Sequence, residues 1–168
     1  MLLILGDIHG EYDLINKQIE YVESNYPEKV KAVIQLGDFG IFREQLTDYF
    51  QKNRKDFIRP VYCIDGNHED FLNIEILTKK YQEHFTYLGR GDTHEIEGYN
   101  FLSFGGSAYM DPINTPPGAV IRAEDIKKSI LQNCKKIDIV ISHDCPMGIG
   151  VPGTPGFEYC GPTGFKNG

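Results

Sequence analysis

Asp7 and His9 stand two residues apart in Gly6-Asp7-Ile8-His9, directly after an apolar run. Alternate side chains of an extended segment point the same way, so this carboxylate and imidazole can aim at one point in space. That pairing is metal-ligand chemistry. A lone Gly-Asp is also ordinary turn chemistry, so the reading depends on repetition. The repetition is present. Gly37-Asp38 follows a second apolar run, Gly66-Asn67-His68-Glu69 a third, and Ser142-His143-Asp144 closes the last. Ligands of open α/β sheets collect at the carboxyl ends of strands. Four strand ends would bring Asp7, His9, Asp38, Asn67 and His143 to one edge, with glycines before several of them allowing a sharp turn.

The residue types suit two divalent ions. Such ions, roughly 3.5–4 Å apart, need a shared anionic oxygen. Asp38 is alone after its strand and fits that bridging role. Asp7 and His9 would serve one ion, Asn67 and His143 the other. Imidazole, carboxylate and amide oxygen together suit manganese, iron, zinc or cobalt better than a pure magnesium or calcium site, and do not choose among the four. Singly, each residue has an ordinary reading: a turn or helix cap for Asp7 and Asp38, a turn for Asn67, a core histidine for His143. Convergence of four strand ends outweighs those readings. His84 and His94 lie among polar residues away from any strand end and read as surface imidazoles.

The elements that must position these residues follow from hydrophobic periodicity. Met1 to Leu5 reads as a strand, and residues 11 to 26 as a helix stopped before Pro27. Residues 31 to 38 form a second strand and Arg43 to Asn53 a helix. Pro60 to Ile64 is a third strand, followed by a helix over Asp70 to Tyr81. This alternation implies parallel strands with helices on their faces. Residues 93 to 106 then read as an antiparallel hairpin turning at Gly-Tyr-Asn. A Pro- and Gly-rich loop spans 111 to 118, a helix 122 to 133, and "IDIVISHD" is a final buried strand. Residues 145 to 168 have no periodicity and abundant Gly and Pro. The fold class is α/β, a layered mixed sheet with flanking helices, in a single domain over residues 1–168.

Bulk properties narrow the function. The chain has 168 residues, 40% hydrophobic and 24% charged, the composition of a globular protein with a proper core. No apolar stretch approaches the roughly 20 residues of a membrane helix, and Asp7 comes too soon for a signal peptide. The expected location is the cytoplasm, with no membrane partner. A net charge of −7 argues against broad electrostatic binding of nucleic acid, which remains possible only as a substrate. The four cysteines, Cys63, Cys134, Cys145 and Cys160, show no CxxC spacing and read as reduced thiols.

The series GDIHG, GDFG, GNHE and SHD, in that order and over nearly the whole chain, resembles the calcineurin-like metallophosphoesterase family. The resemblance implies that family's fold and Asp7, His9, Asp38, Asn67 and His143 as metal ligands. It implies His68 as the group assisting at the leaving group. The implied cofactors are two divalent metal ions, and the implied substrate is a small-molecule or phosphorylated phosphate ester. The implied reaction is hydrolysis of a phosphodiester or phosphomonoester by a metal-bound hydroxide, with His68 as imidazolium protonating the departing alkoxide. No Cys or Ser is placed as a nucleophile.

Two departures stand beside the resemblance. Protein phosphatases of the family continue the second motif with an Asp and an Arg, where this chain has Phe39-Gly40-Ile41-Phe42. The usual acidic partner of the catalytic His is therefore missing, and the pattern is closer to phosphodiesterase-type members. Arg43 is a candidate replacement for the phosphate-binding Arg, and Tyr109 and Arg122 flank the Pro-rich loop as candidate substrate contacts. Secondly, the family's Gly-His-x-His motif is absent, which makes a C-terminally incomplete domain the expectation. The alternative function is a catalytically weak protein-binding scaffold on the same fold.

Overall fold

A computed structural model describes residues 1–108, 113, 115–132 and 136–145. Tyr109, Cys134, Cys160 and the Gly- and Pro-rich stretch from residue 146 lie outside the described residues. Strands β1 (Leu2–Leu5), β2 (Ala32–Leu36), β3 (Val61–Ile64) and β4 (Thr86–Tyr87) form one parallel sheet in that order. Strands β5 (Thr93–Ile96), β6 (Tyr99–Phe104) and β7 (Ile139–Ser142) form a second, in which β5 and β6 are antiparallel and β6 and β7 parallel. The α/β layering matches the expectation, but the strands divide between two sheets where a single mixed sheet was expected. The reason lies in β2, which is buried on both faces. Val33 packs toward the helices, while Ala32 and Ile34 pack with Ile96, Phe101 and Ile141 of the second sheet. An apolar run without alternation reads the same whether helices or another sheet cover its second face.

Helix α1 (Asp13–Asn25) turns Ile15 and Ile19 into the core. Helix α2 (Arg43–Leu46) runs on into a π-helical turn, Thr47–Lys52, that buries both Tyr49 and Phe50. With Tyr12, Phe39, Phe57 and Phe85 these rings build an aromatic cluster, with neighbouring centroids 4.9–6.3 Å apart. Edge-to-face and tilted pairs at such distances add about 0.5–1.5 kcal/mol each beyond their buried area. Phe39, directly after Asp38, is fully buried there and anchors the second strand's loop.

Several boundaries depart from the periodicity. Helix α3 runs from Ile74 to Lys80, starting after Asp70 because the Asp70 carboxylate accepts Asn73 Nδ2 and closes a turn first. Helix α4 covers Ala123–Leu131, with Arg122 exposed at its N-cap. The hairpin turns at Glu97-Gly98 and not at Gly-Tyr-Asn, since Ile96 pairs with Tyr99. Both turn residues have positive φ (51° and 83°), the conformation a two-residue hairpin turn needs. The two-residue strand β4 has no readable period. His84 is not a surface imidazole: it stacks on Phe50 at 4.2 Å and faces Asp56. His94 is half-buried in β5. Among the described residues no helix is long and apolar enough to cross a membrane.

Candidate metal centre

The loops after β1 and β2 are held together by three backbone bonds beyond the strand ladder. Asp7 N donates to Gly37 O (3.2 Å), His9 N to Asp38 O (2.8 Å) and Gly10 N to Phe39 O (3.0 Å). Gly40, at φ 91°, permits this approach, because a Cβ there would strike the Gly10 backbone. The result sets Asp7 and His9 beside Asp38, and one ligating atom from each lies within 4.8 Å of the others. All three are in the left-handed region, at φ 52°, 47° and 52°. Non-glycine residues there cost of order 1–3 kcal/mol each and gather where function requires a fixed side-chain direction.

On its other side Asp38 meets the third loop and the second sheet. Its Oδ1 accepts the backbone N–H groups of Asn67 and His68, both at 2.8 Å. Gly66 is required beneath, since a Cβ would collide with this carboxylate. Asp38 Oδ2 is 3.6 Å from His9 Nε2, and Oδ1 is 3.7 Å from His143 Nε2. His143 Nε2 is in turn 3.1 Å from Asn67 Oδ1. The ring of His143 is oriented by its other nitrogen, because Nδ1 lies 2.9 Å from Leu36 O. A carbonyl only accepts, so Nδ1 donates to it, and the ring turns Nε2 toward Asp38 and Asn67. A ring nitrogen held by a backbone carbonyl while the other is turned to the site is the usual arrangement for a metal-ligating imidazole.

These residues fit divalent cations. Two carboxylate side chains, two imidazole nitrogens and the Asn67 amide oxygen gather around Asp38, a mixed oxygen and nitrogen donor set of the kind divalent cations take. A cation would also offset the repulsion between the Asp7 and Asp38 carboxylates. Asp38 is nearly fully buried and stands between the Asp7–His9 pair and the Asn67–His143 pair. His68 is exposed at the rim, its ring 5.3 Å from that of His9. Its side chain has no hydrogen-bond partner among the described residues. Ile41, in the Phe39-Gly40-Ile41-Phe42 stretch that stands in place of the family's Asp and Arg, is fully buried in the aromatic core.

Three buried polar residues, Gln35, Asp65 and Glu69, and the partly buried Arg90 hold this edge, and none of them is among the candidate ligands. Gln35 clamps Gly37 with both ends of its amide, Nε2 to Gly37 O (2.6 Å) and Oε1 from Gly37 N (3.0 Å). Glu69 accepts the N–H groups of Phe39 (2.8 Å), Gly40 (3.1 Å) and Ile41 (2.5 Å), fixing the turn after Asp38. Asp65, one residue past β3, accepts Arg90 Nε (2.9 Å) and Nη2 (2.5 Å) and Tyr87 Oη (2.8 Å). Arg90 also donates to the carbonyls of Gly118, Ala119 and Val120. A polar residue inside or just after an apolar strand was the available signal for Gln35 and Asp65; nothing local pointed to Arg90.

Burial pushes the Glu69 carboxyl up to about 8, with the Asp38 and Asp65 charges adding to it against the pull of the backbone donors. A carboxyl raised in the folded state stabilises fully below its unfolded value near 4.5 and loses that contribution as the pH rises through about 8. Urea midpoints of chelator-treated protein are therefore expected to fall between pH 5 and pH 8 by more than those of Glu69→Gln. Parallel profiles for the two proteins would remove Glu69 as the source.

Comparison with known proteins follows the same line. A family model for calcineurin-like phosphoesterases matches residues 1–156. A solved crystal structure, 12% identical, superposes with a TM-score of 0.62 over 99% of this chain and 77% of its own, a likeness of fold. A search of curated proteins finds no significant match.

Proposed function

Since this chain belongs to the calcineurin-like phosphoesterase family, a family of metal-dependent hydrolases, we propose that it hydrolyses a phosphate ester with two divalent cations. Asp7, His9 and Asp38 would hold one, and Asp38, Asn67 and His143 the other. The observation that carries this reading is the Asp38 carboxylate, fixed by two backbone donors between the two ligand pairs. Bound there, the cations would polarise the phosphoryl oxygens and lower the pKa of water. Manganese, iron, zinc and cobalt all suit the donor set.

The chain's own residues supply the rest. His68, at the exposed rim, would protonate the departing oxygen. Its backbone N–H is tied to Asp38, so its position follows that of the shared ligand. Replacing His68 with Asn is expected to lower kcat about 10²–10⁴-fold on an alkyl ester while metal uptake stays near that of the parent. On a 4-nitrophenyl ester, whose leaving group needs no proton, the loss should be much smaller. Equal losses on both esters, or loss of metal, would take the general-acid role from His68. Hydrolysis of bis(4-nitrophenyl) phosphate with manganese, lost on chelation and restored on readdition, tests the whole reading. Metal uptake without hydrolysis of mono- or diesters would favour a binding scaffold.

A further inference from the structure

A groove of about 510 Å³ lined by Phe42, Arg43, Glu44, Gln45 and Asp70 adjoins the metal centre. Gln45 ties it to the first loop, with Nε2 reaching His9 O at 3.5 Å. Asp70 ties it to the third, donating its N–H to Ile41 O at 3.2 Å, two residues beyond His68. The groove therefore lies against the loops that carry His9 and His68. Its volume is that of a small-molecule site.

Its chemistry is selective. Phe42 stays outside the aromatic cluster that buries Phe39, Tyr49 and Phe50, and the residue is 38% exposed. A flat apolar ring facing solvent beside a reaction centre is a stacking platform. Arg43 is exposed and has no ion-pair partner among the described residues, which in a chain of net charge −7 leaves a cation for an anionic ligand. Asp70 gives one acceptor site on each carboxylate oxygen to Asn73 Nδ2, at 3.1 and 2.9 Å, and keeps the others. It would accept from an exocyclic amine and repel a carbonyl or nitro group in the same place.

Resting on the hydrolytic reading above, we propose that this groove binds the leaving group and that the leaving group is a nucleoside with an amine-bearing base. Phe42 stacks on the base and Asp70 accepts from its amine. The substrate class is then a nucleotide phosphodiester, with Arg43 beside its anionic backbone.

The test uses ligand-observed NMR with adenosine, uridine and 4-nitrophenol, with and without manganese. The parent protein should bind adenosine in preference to uridine and to 4-nitrophenol. Phe42→Ala, a change at an exposed position, should weaken adenosine about 5- to 150-fold, the worth of one base stacked on an aromatic side chain. Asp70→Asn should bring adenosine and uridine to near equality. No adenosine binding, or binding unchanged in Phe42→Ala, overturns the proposal. Equal binding of 4-nitrophenol overturns the nucleoside assignment in favour of any aryl ester. Should bis(4-nitrophenyl) phosphate still be hydrolysed in either case, the hydrolytic reading survives its failure. Phe42-dependent adenosine binding without any hydrolysis would leave the groove standing and remove the reaction.

Discussion

Asp38→Asn is expected to abolish uptake of both cations together while the protein stays folded. The substituted amide keeps an oxygen to accept the Asn67 and His68 N–H groups, now made to Oδ1 at 2.8 Å. What it loses is the second anionic oxygen, the one 3.6 Å from His9, and with it the charge that both ligand pairs share. Metal-free stability should be unchanged or slightly higher, because the repulsion between Asp38 and Asp7 disappears. In the parent protein, saturating metal at about 100 times its Kd adds about 2.7 kcal/mol of stability per site. That gain, read as a shift in Tm, should vanish in the variant. Hydrolysis should fall by more than about 10³-fold, since removal of a single donor to developing charge already costs 10²–10³. Titration calorimetry with manganese gives the decisive number. One ion retained at parental affinity would mean that Asp38 belongs to one cation and is not shared.

Arg90→Met should produce the largest loss of stability. The substitution leaves Asp65 buried with only Tyr87 as a side-chain donor and frees three backbone carbonyls. Asp65 is almost completely inaccessible, and Gly105 is pressed so close that a Cβ there would collide with its carboxylate. Water cannot replace the guanidinium without displacing that loop. Breaking a buried pair from one side costs about 3–5 kcal/mol. At 2–4 °C per kcal/mol for a chain of this size, Tm should drop by roughly 6–20 °C. Asp65→Leu added to Arg90→Met should recover part of this, because the uncompensated charge goes even though the carbonyls stay unpartnered. A drop below about 3 °C for the single variant would show that solvent reaches Asp65. Metal affinity should weaken too, since Asp65 immediately precedes Gly66-Asn67.

Part of the site is local information. Gly-Asp after an apolar run marks where a strand ends and what stands there, so Asp7, His9, Asp38, Asn67 and His143 can be picked out without any fold. The α/β order of elements is local in the same sense, because helical and extended periods differ along the chain. Positions such as the hairpin turn at Glu97-Gly98 are harder. A two-residue turn with both φ positive can accept a Glu when the flanking strands fix the register, and no composition rule predicts that.

The remainder depends on how the pieces pack. His143 reaches Asn67 and Asp38 only because the second sheet lies against the first through Ala32, Ile34, Phe101 and Ile141. An apolar strand signals that its faces are covered, not by what. Glu69 and Asp65 flank Gly66-Asn67-His68, and nothing in the sequence says what partners them. Their burial, the backbone donors gathered around Glu69 and the arginine on Asp65 come from partners 25 to 30 residues away. Local periodicity carries the types and places of the candidate ligands, because strand ends are local. The tertiary structure alone decides which buried charges hold them, because satisfying a buried charge takes partners that only packing brings near.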